Sequence, residues 1–383
     1  MIYDNLVKNI NNKKSIQNKV ILHFVRGPYV EIKGPNKSNY LVKFIDKKTN
    51  TTKYETTIEN NCWCKCSIEY FVDWKIEIYE EGIFWAEYHY IAENRRVYIA
   101  LDSKALGDTL AWLPYVNEFR KKHKCKLVVS TFMNDFFKSE YSDIEFIEPG
   151  ETANDLYAMY CIGLFYNEDN SINFFKNPID PKEVTLQRMC SDILGVDYVG
   201  DIRPLIKKRN IKRDEKLKQV CIGFHGTAQA KFWNNLDGWQ KVVDWCRSRG
   251  YIVKLLSKEG ANYMGNKLPN DIVFHPPGPI EKVIDELTKS YAFIGIGSGL
   301  SWLSWALKTP TVLISGFSYD WAEMKDCYRI SAPIGKCEGC FNRLRLDAGD
   351  WNWCPDHKGT DRQFECTKSI TSEMVIKELE KFL

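Results

Sequence analysis

Asp108 sits in the run Leu106-Gly107-Asp108-Thr109, where an apolar strand hands over to a helix. A carboxylate at the carboxyl end of a buried strand faces the crevice in which open α/β sheets bind ligands. There it can act as general base toward a hydroxyl nucleophile, or it can cap the helix, a place where Asp is common. A second group is His225-Gly-Thr227-Ala-Gln-Ala-Lys231-Phe-Trp233. Lys231 can neutralise a departing diphosphate, and the Thr227 hydroxyl can bond a phosphate oxygen. His225 and Trp233 fit core packing as well as a ligand contact. Ser257-Lys258-Glu259 ends the following strand and puts a carboxylate either beside a ribose or on the solvated surface.

The stretch from Phe293 to Ile314 reads strand, turn, helix, strand, with Gly295, Gly297, Ser298 and Gly299 at the first junction. Backbone N–H groups at a helix start are unpaired, and the helix dipole favours an anion there. The turn is therefore a candidate diphosphate site. A tight β–α turn with no ligand would use the same residues.

Thirteen cysteines include Cys337-x2-Cys340-x13-Cys354-x11-Cys366, set among polar and glycine-rich residues. Four thiolates suffice for one tetrahedral ion, zinc or iron, and leave no open position, so the expected role is structural. His357 is a substitute ligand candidate. Cys62, Cys64 and Cys66 share one face if they lie on a strand. Three ligands on one strand make a poor tetrahedral site, so these thiols are read as packing. Cysteines 125, 161, 190, 221, 246 and 327 stand mostly in apolar contexts and read as core.

The elements that must position these groups follow from periodicity. Residues 20 to 91 alternate apolar and polar positions between turns at Gly27-Pro28, Gly34-Pro35 and Glu81-Gly82, which predicts an antiparallel sheet or small barrel. From Val97 the pattern becomes β–α–β, with a helix opening at Leu106. A charged stretch from 207 to 219 reads as an exposed linker. A second α/β half then begins, with a helix from Leu236 to Arg249, another from Ile280, and the glycine turn after it. Thr371 is a cap candidate for an amphipathic terminal helix. The expected divisions are a β-rich domain (1–92), a first lobe (93–217), a second lobe (218–330), a four-cysteine segment (331–370) and a helix (371–383).

A chain of 383 residues accommodates two or three domains. Its formal charge of +3 gives no electrostatic case for nucleic acid or an acidic membrane. No apolar run reaches membrane-spanning length, and the polar residues 1–19 lack a signal-peptide core. A cytoplasmic protein without membrane insertion is expected, with disulfides disfavoured.

The runs LGDTLAWLPYV, HGTAQAKFWNNLDGWQKVV, LLSKEG and IGIGSGLSWLSWALKTPTVLI, followed by CEGC and two further cysteines, resemble the bacterial autotransporter heptosyltransferases. The likeness runs in order from about Tyr98 to Cys366. In the wider heptosyltransferase lineage an Asp and a His stand where this chain has Gly297 and Trp302. The resemblance implies an α/β fold of GT-B type, with two Rossmann-like lobes and an extra N-terminal β-rich domain. It implies transfer of heptose from ADP-heptose to serine hydroxyls of an autotransporter adhesin passenger domain. It also implies a structural iron ion, one per chain, in the site of Cys337, Cys340, Cys354 and Cys366, with zinc as the alternative. The assembly it implies is a large ring-shaped homo-oligomer, with a dodecamer as the candidate size.

By residue, Asp108 matches the family's general base and Lys231 the cation on the donor diphosphate. Glu259 matches a nucleoside contact, and Ser298, Gly299 and Leu300 match the phosphate turn. Trp239 falls in a family motif, with packing beneath the site as the other reading, and Thr109 adjoins the base. Lys231 and the turn would stabilise the leaving group, so no catalytic metal is expected. A lipid-linked sugar acceptor and a non-catalytic binding or scaffold protein are the alternative functions.

Overall fold

A computed structural model of the chain describes residues 6–9, 18–207, 211, 217–260, 262–275 and 277–383. Most of the polar N-terminus and most of the charged stretch from 207 to 219 lie outside the described residues. The N-terminal strands are β1 (Leu6–Asn9), β2 (Lys19–Val25), β3 (Tyr29–Lys33), β4 (Asn39–Asp46), β5 (Thr51–Glu59), β6 (Cys62–Lys65), β7 (Trp74–Glu80) and β8 (Ile83–His89). Five of them form an antiparallel sheet in the order β1-β8-β7-β4-β5. Period-2 alternation sends Tyr40, Val42, Phe44, Trp74, Ile76 and Ile78 inward, all 1% exposed or less.

The other three strands go elsewhere. β2, β3 and β6 extend the sheet of the first α/β half, whose order is β11-β10-β9-β12-β2-β3-β6. Its further elements are β9 (Arg96–Leu101), α1 (Leu106–His123), β10 (Lys126–Ser130), α2 (Asn134–Phe137), β11 (Glu145–Ile147), β12 (Ala158–Ile162) and α3 (Leu186–Leu194). β2 runs parallel to β12, whereas β3 and β6 are antiparallel additions. The segment 1–92 thus contributes to two sheets, and its end at 92 is not a sheet boundary. Alternation tells which face of β2 is buried; it carries no information about which strand lies beside it.

The second half contains β13 (Gln219–Gly223), α4 (Gly238–Ser248), β14 (Ile252–Leu256), β15 (Val273–His275), α5 (Ile280–Lys289), β16 (Ala292–Ile296), α6 (Gly299–Ala306), β17 (Thr311–Ile314) and β18 (Tyr328–Ile330). All six strands are parallel, in the order β15-β14-β13-β16-β17-β18. That is the 3-2-1-4-5-6 order of doubly wound dinucleotide-binding sheets. Such sheets are covered on both faces and read as continuous apolar runs, and every residue of β13, β16 and β17 is buried.

Three short helices close the chain: α7 (Cys340–Arg343), α8 (Glu365–Lys368) and α9 (Ser372–Leu379). The Thr371 hydroxyl accepts from the Met374 N–H at 3.4 Å, capping α9 as its spacing predicts. Ile370, Val375 and Leu379 then join the core of the second half.

The two halves meet where α1 packs on α6. Leu110 and Trp112 of α1 belong to the same core cluster as Trp302, Leu303 and Trp305 of α6. Small residues permit the approach. A Cβ built on Gly299 would lie 2.9 Å from Cβ of Leu106 and 3.2 Å from the Gly107 nitrogen. Any side chain at 299 would drive the two helix starts apart.

Candidate active site

The meeting of α1 and α6 places the two sequence-predicted turns on one cleft. Ala105, Gly107 and Asp108 line it from the first half, and Lys231, Gly297, Ser298, Gly299, Phe317 and Glu323 from the second. The cavity is about 110 Å³.

Asp108 lies in the first turn of α1, and the N-cap is Ala105, so the capping alternative does not describe it. Its carboxylate accepts a hydrogen bond from Ser103 Oγ at 2.6 Å. Burial raises its pKa above the ordinary Asp range, against the lowering effect of the Ser103 bond and the nearby Lys231 charge. A carboxyl so shifted is a stronger base than an exposed one. Thr109 is fully buried, its hydroxyl directed to the Ala105 carbonyl at 3.4 Å, and holds the turn together.

Lys231 ends a short 3₁₀ turn, Gln229–Lys231. Its Nζ donates to Thr227 Oγ1 at 3.3 Å and stands 5.3 Å from the centre of the Phe317 ring. Burial lowers its pKa, while Asp108 and Glu323 act in the other direction. A poorly solvated ammonium facing a cleft gains more from an incoming anion than a hydrated one does. Ser298 supplies the second sign of a missing partner: its hydroxyl is buried with no hydrogen bond among the described residues. Buried hydroxyls are nearly always bonded, which makes this one a candidate ligand contact. The first N–H groups of α6, on Gly299 and Leu300, open onto the same turn.

Five predicted residues do not line this cleft: Thr109 and Thr227, which bond to its neighbours, and Leu300, Glu259 and Trp239. Leu300 packs its side chain on the core, leaving only its backbone for a ligand. Glu259 lies beyond β14, where its N–H donates to Ser257 Oγ at 3.0 Å. That hydroxyl is 2.6 Å from Nδ1 of His225, whose ring meets Tyr263 edge-on at 5.4 Å. Nε2 of His225 is buried without a partner among the described residues. These groups form one polar cluster at the carboxyl ends of β13 and β14. Trp239 is packing: it is 8% exposed and stacks edge-to-face on Trp233 at 5.2 Å. Trp233 in turn donates from Nε1 to the Ile370 carbonyl at 2.8 Å.

The cysteine segment buttresses the cleft. Cys340, Cys354, Trp353 and Phe364 form one small core with Ala230, next to Lys231, and with Phe317. Phe341 N–H donates to the Phe317 carbonyl at 3.1 Å, and Phe341 itself lines the cavity. The four thiols sense one another: burial raises the pKa of Cys366, and Cys337, Cys340 and Cys354 each raise it further. A cation among them would reverse that repulsion, so the donor chemistry fits a thiophilic ion. Gly316 makes room, since a Cβ there would be 2.8 Å from Cβ of Cys366. The tightest donor group among the described residues is nevertheless Cys337, His357 and Glu365, whose ligand atoms lie within 4.8 Å of one another. Cys340 faces Arg343 at 3.7 Å and Asp356 at 3.9 Å. In the N-terminal trio Cys64 and Cys66 are buried as packing while Cys62 is exposed.

Sequence reasoning missed Phe317, Phe341 and Glu323. Phe317 and Glu323 sit on the irregular segment after β17 and Phe341 on the single-turn helix α7, where no periodicity marks which side chain turns inward.

No family profile matches the chain. It is 34% identical over 352 residues to the autotransporter heptosyltransferase Aah of Escherichia coli, covering 88% of each. It is 35% identical over 348 residues to the autotransporter heptosyltransferase TibC of Escherichia coli O78:H11, covering 87% of this chain and 83% of TibC. A relative in Burkholderia thailandensis, 27% identical over 345 residues (88% of this chain, 80% of the relative), is named an inactive autotransporter heptosyltransferase. The crystal structure of TibC, described as an iron-containing dodecameric glycosyltransferase, superposes with TM-score 0.86 at 30% identity, covering 100% of this chain and 98% of TibC. A second TibC structure holds ADP-D-β-D-heptose, with TM-score 0.86 at 29% identity over 96% of this chain and 97% of that one. The relatives and the superposed structure are glycosyltransferases, and this chain is one. The chain belongs to the autotransporter heptosyltransferase family.

Proposed function

We propose that this protein transfers heptose from ADP-heptose to serine hydroxyls of an autotransporter adhesin, on a GT-B scaffold of two Rossmann-like lobes. The observation that carries the reading is the cleft itself: Asp108 from one half and Lys231 with the unpartnered Ser298 hydroxyl from the other line a single cavity. Asp108 takes the proton of the serine hydroxyl as its oxygen attacks the anomeric carbon. The bond from that carbon to the diphosphate oxygen breaks, and negative charge gathers on departing ADP. Lys231, the Thr227 hydroxyl and the N–H groups of Ser298, Gly299 and Leu300 receive that charge. Donors fixed in a poorly hydrated site lower such a barrier without reorganising. Glu259 and the groups around His225 hold the nucleoside.

Four thiols, Cys337, Cys340, Cys354 and Cys366, would hold one iron ion per chain, with His357 and Glu365 beside Cys337. The ion's contribution is to fix the segment behind Phe317 and Ala230, and so the position of Lys231. Assembly into a large homo-oligomer, TibC being dodecameric, is part of the same reading.

Purified protein incubated with ADP-heptose and a passenger-domain fragment tests it. Mass spectrometry should find heptose increments on serine. Transfer to a lipid-linked sugar instead, or no consumption of donor with either acceptor, would contradict the protein acceptor or the enzymatic role respectively.

A further inference from the structure

Glu323 is a partly buried carboxylate lining this cleft, with one oxygen outside its ion pair. Its side chain is 12% exposed and that of its partner, Arg329, 10%. Arg329 Nη1 donates to Glu323 Oε2. The rest of the guanidinium is committed to the protein: Nη2 donates to the Ser318 carbonyl at 2.7 Å and Nε to Ser331 Oγ at 3.1 Å. Oε1 takes no part in this clamp. It makes no hydrogen bond among the described residues and hangs over the glycine turn, where a Cβ on Gly297 would lie 2.5 Å from it. An ion pair serving stability alone would not require position 297 to lack a side chain.

The charge pattern selects what Oε1 can meet. A carboxylate repels a diphosphate and accepts hydrogen bonds from hydroxyls. Lys231 and the N–H groups of the turn already provide for the anion. We propose that Glu323 Oε1, aimed into the cleft by Arg329 and admitted by Gly297, accepts hydrogen bonds from hydroxyls of the transferred sugar and selects the donor by them. The inference rests on the nucleotide-sugar reading given above. It makes Glu323 a specificity-determining contact of the sugar, separate from the groups that bind ADP.

Calorimetry with ADP and with ADP-heptose tests it on the wild type, Glu323→Gln and Gly297→Ala. The first variant removes the charge and keeps the shape. The second displaces Oε1 while keeping the negative charge beside Arg329, and it decides the matter if Arg329, left without its counter-charge, prevents Glu323→Gln from folding. Glu323→Gln should hold ADP within about threefold of the wild type and lose about tenfold or more in ADP-heptose affinity, because a site built to bond a hydroxyl discriminates strongly when the bond is broken. Gly297→Ala, which alters the diphosphate turn itself, should lose several-fold more affinity for ADP-heptose than for ADP. Unchanged ADP-heptose affinity, or equal losses for both ligands, would overturn the proposal. A wild-type protein that binds neither ligand overturns the nucleotide-sugar reading itself, and this proposal with it.

Discussion

A Cβ on Gly107 would lie 2.9 Å from Cδ1 of Trp302. The contact joins the first turn of α1 to α6 and sets how closely Asp108 approaches the glycine turn. Trp302 is 5% exposed, so it cannot swing aside cheaply. Gly107→Ala should therefore destabilise the protein by about 1–3 kcal/mol, the usual range for overpacking. Transfer should fall more than donor binding, since base and leaving group move apart. Melting curves and single-turnover rates check both.

Asp108→Asn should keep the bond from Ser103 and remove the basicity. Transfer should drop by about 10² to 10⁴, the range for a lost general base. The folded pKa of Asp108 is raised. The native state therefore holds its proton to higher pH than the unfolded chain, and its contribution to stability is fully present below the unfolded pKa and lost as pH rises through the folded one. At neutral pH the variant should then be at least as stable as the wild type, with its advantage vanishing in acid. Denaturation at several pH values reads this directly.

The same two shifts shape the pH–rate profile. A raised Asp108 and a lowered Lys231 narrow the window in which the carboxylate is ionised and the ammonium protonated. The rate should rise through the Asp108 pKa and fall through that of Lys231. In Asp108→Asn the acid limb should disappear, and in Lys231→Arg the alkaline limb should move out of range, since Arg stays charged.

The groups that were legible share one property. Asp108, Lys231 and Ser298 each follow the carboxyl end of an apolar strand, and a parallel sheet puts all such ends on one side. Glu323 follows β17 in the same way, but its loop offers no period, and its meaning depends on Arg329 of β18 and on the gap at Gly297. The placement of β2 beside β12 was hidden for a related reason: alternation is identical for either sheet. The cysteine spacing pointed to a metal segment. That the segment packs behind Lys231 depends on Ala230 and Phe317, which no spacing rule connects.

Replacing Cys337, Cys340, Cys354 or Cys366 by serine should lose metal and loosen residues from about 331 to 370, because coordination supplies folding energy to small metal-bound segments. Through Ala230 and Phe317 the loss should reach Lys231 and weaken ADP binding. Elemental analysis, limited proteolysis and ADP calorimetry on each variant follow the three steps in turn. A metal-free variant that stays folded, assembled and fully active would refute the structural role. Metal lost from variants of Cys62, Cys64 or Cys66 instead would mean that other ligands hold it.

The central claim is that Asp108 and Lys231 act on opposite sides of one breaking bond. It is tested most directly by single-turnover transfer of heptose from ADP-heptose to a serine-bearing passenger fragment, compared among the wild type, Asp108→Asn and Lys231→Ala. The account predicts that Asp108→Asn binds donor normally and transfers about 10² or more times slower, while Lys231→Ala loses both donor affinity and rate. Near-normal single-turnover transfer by Asp108→Asn, or unchanged donor affinity and rate in Lys231→Ala, would contradict it.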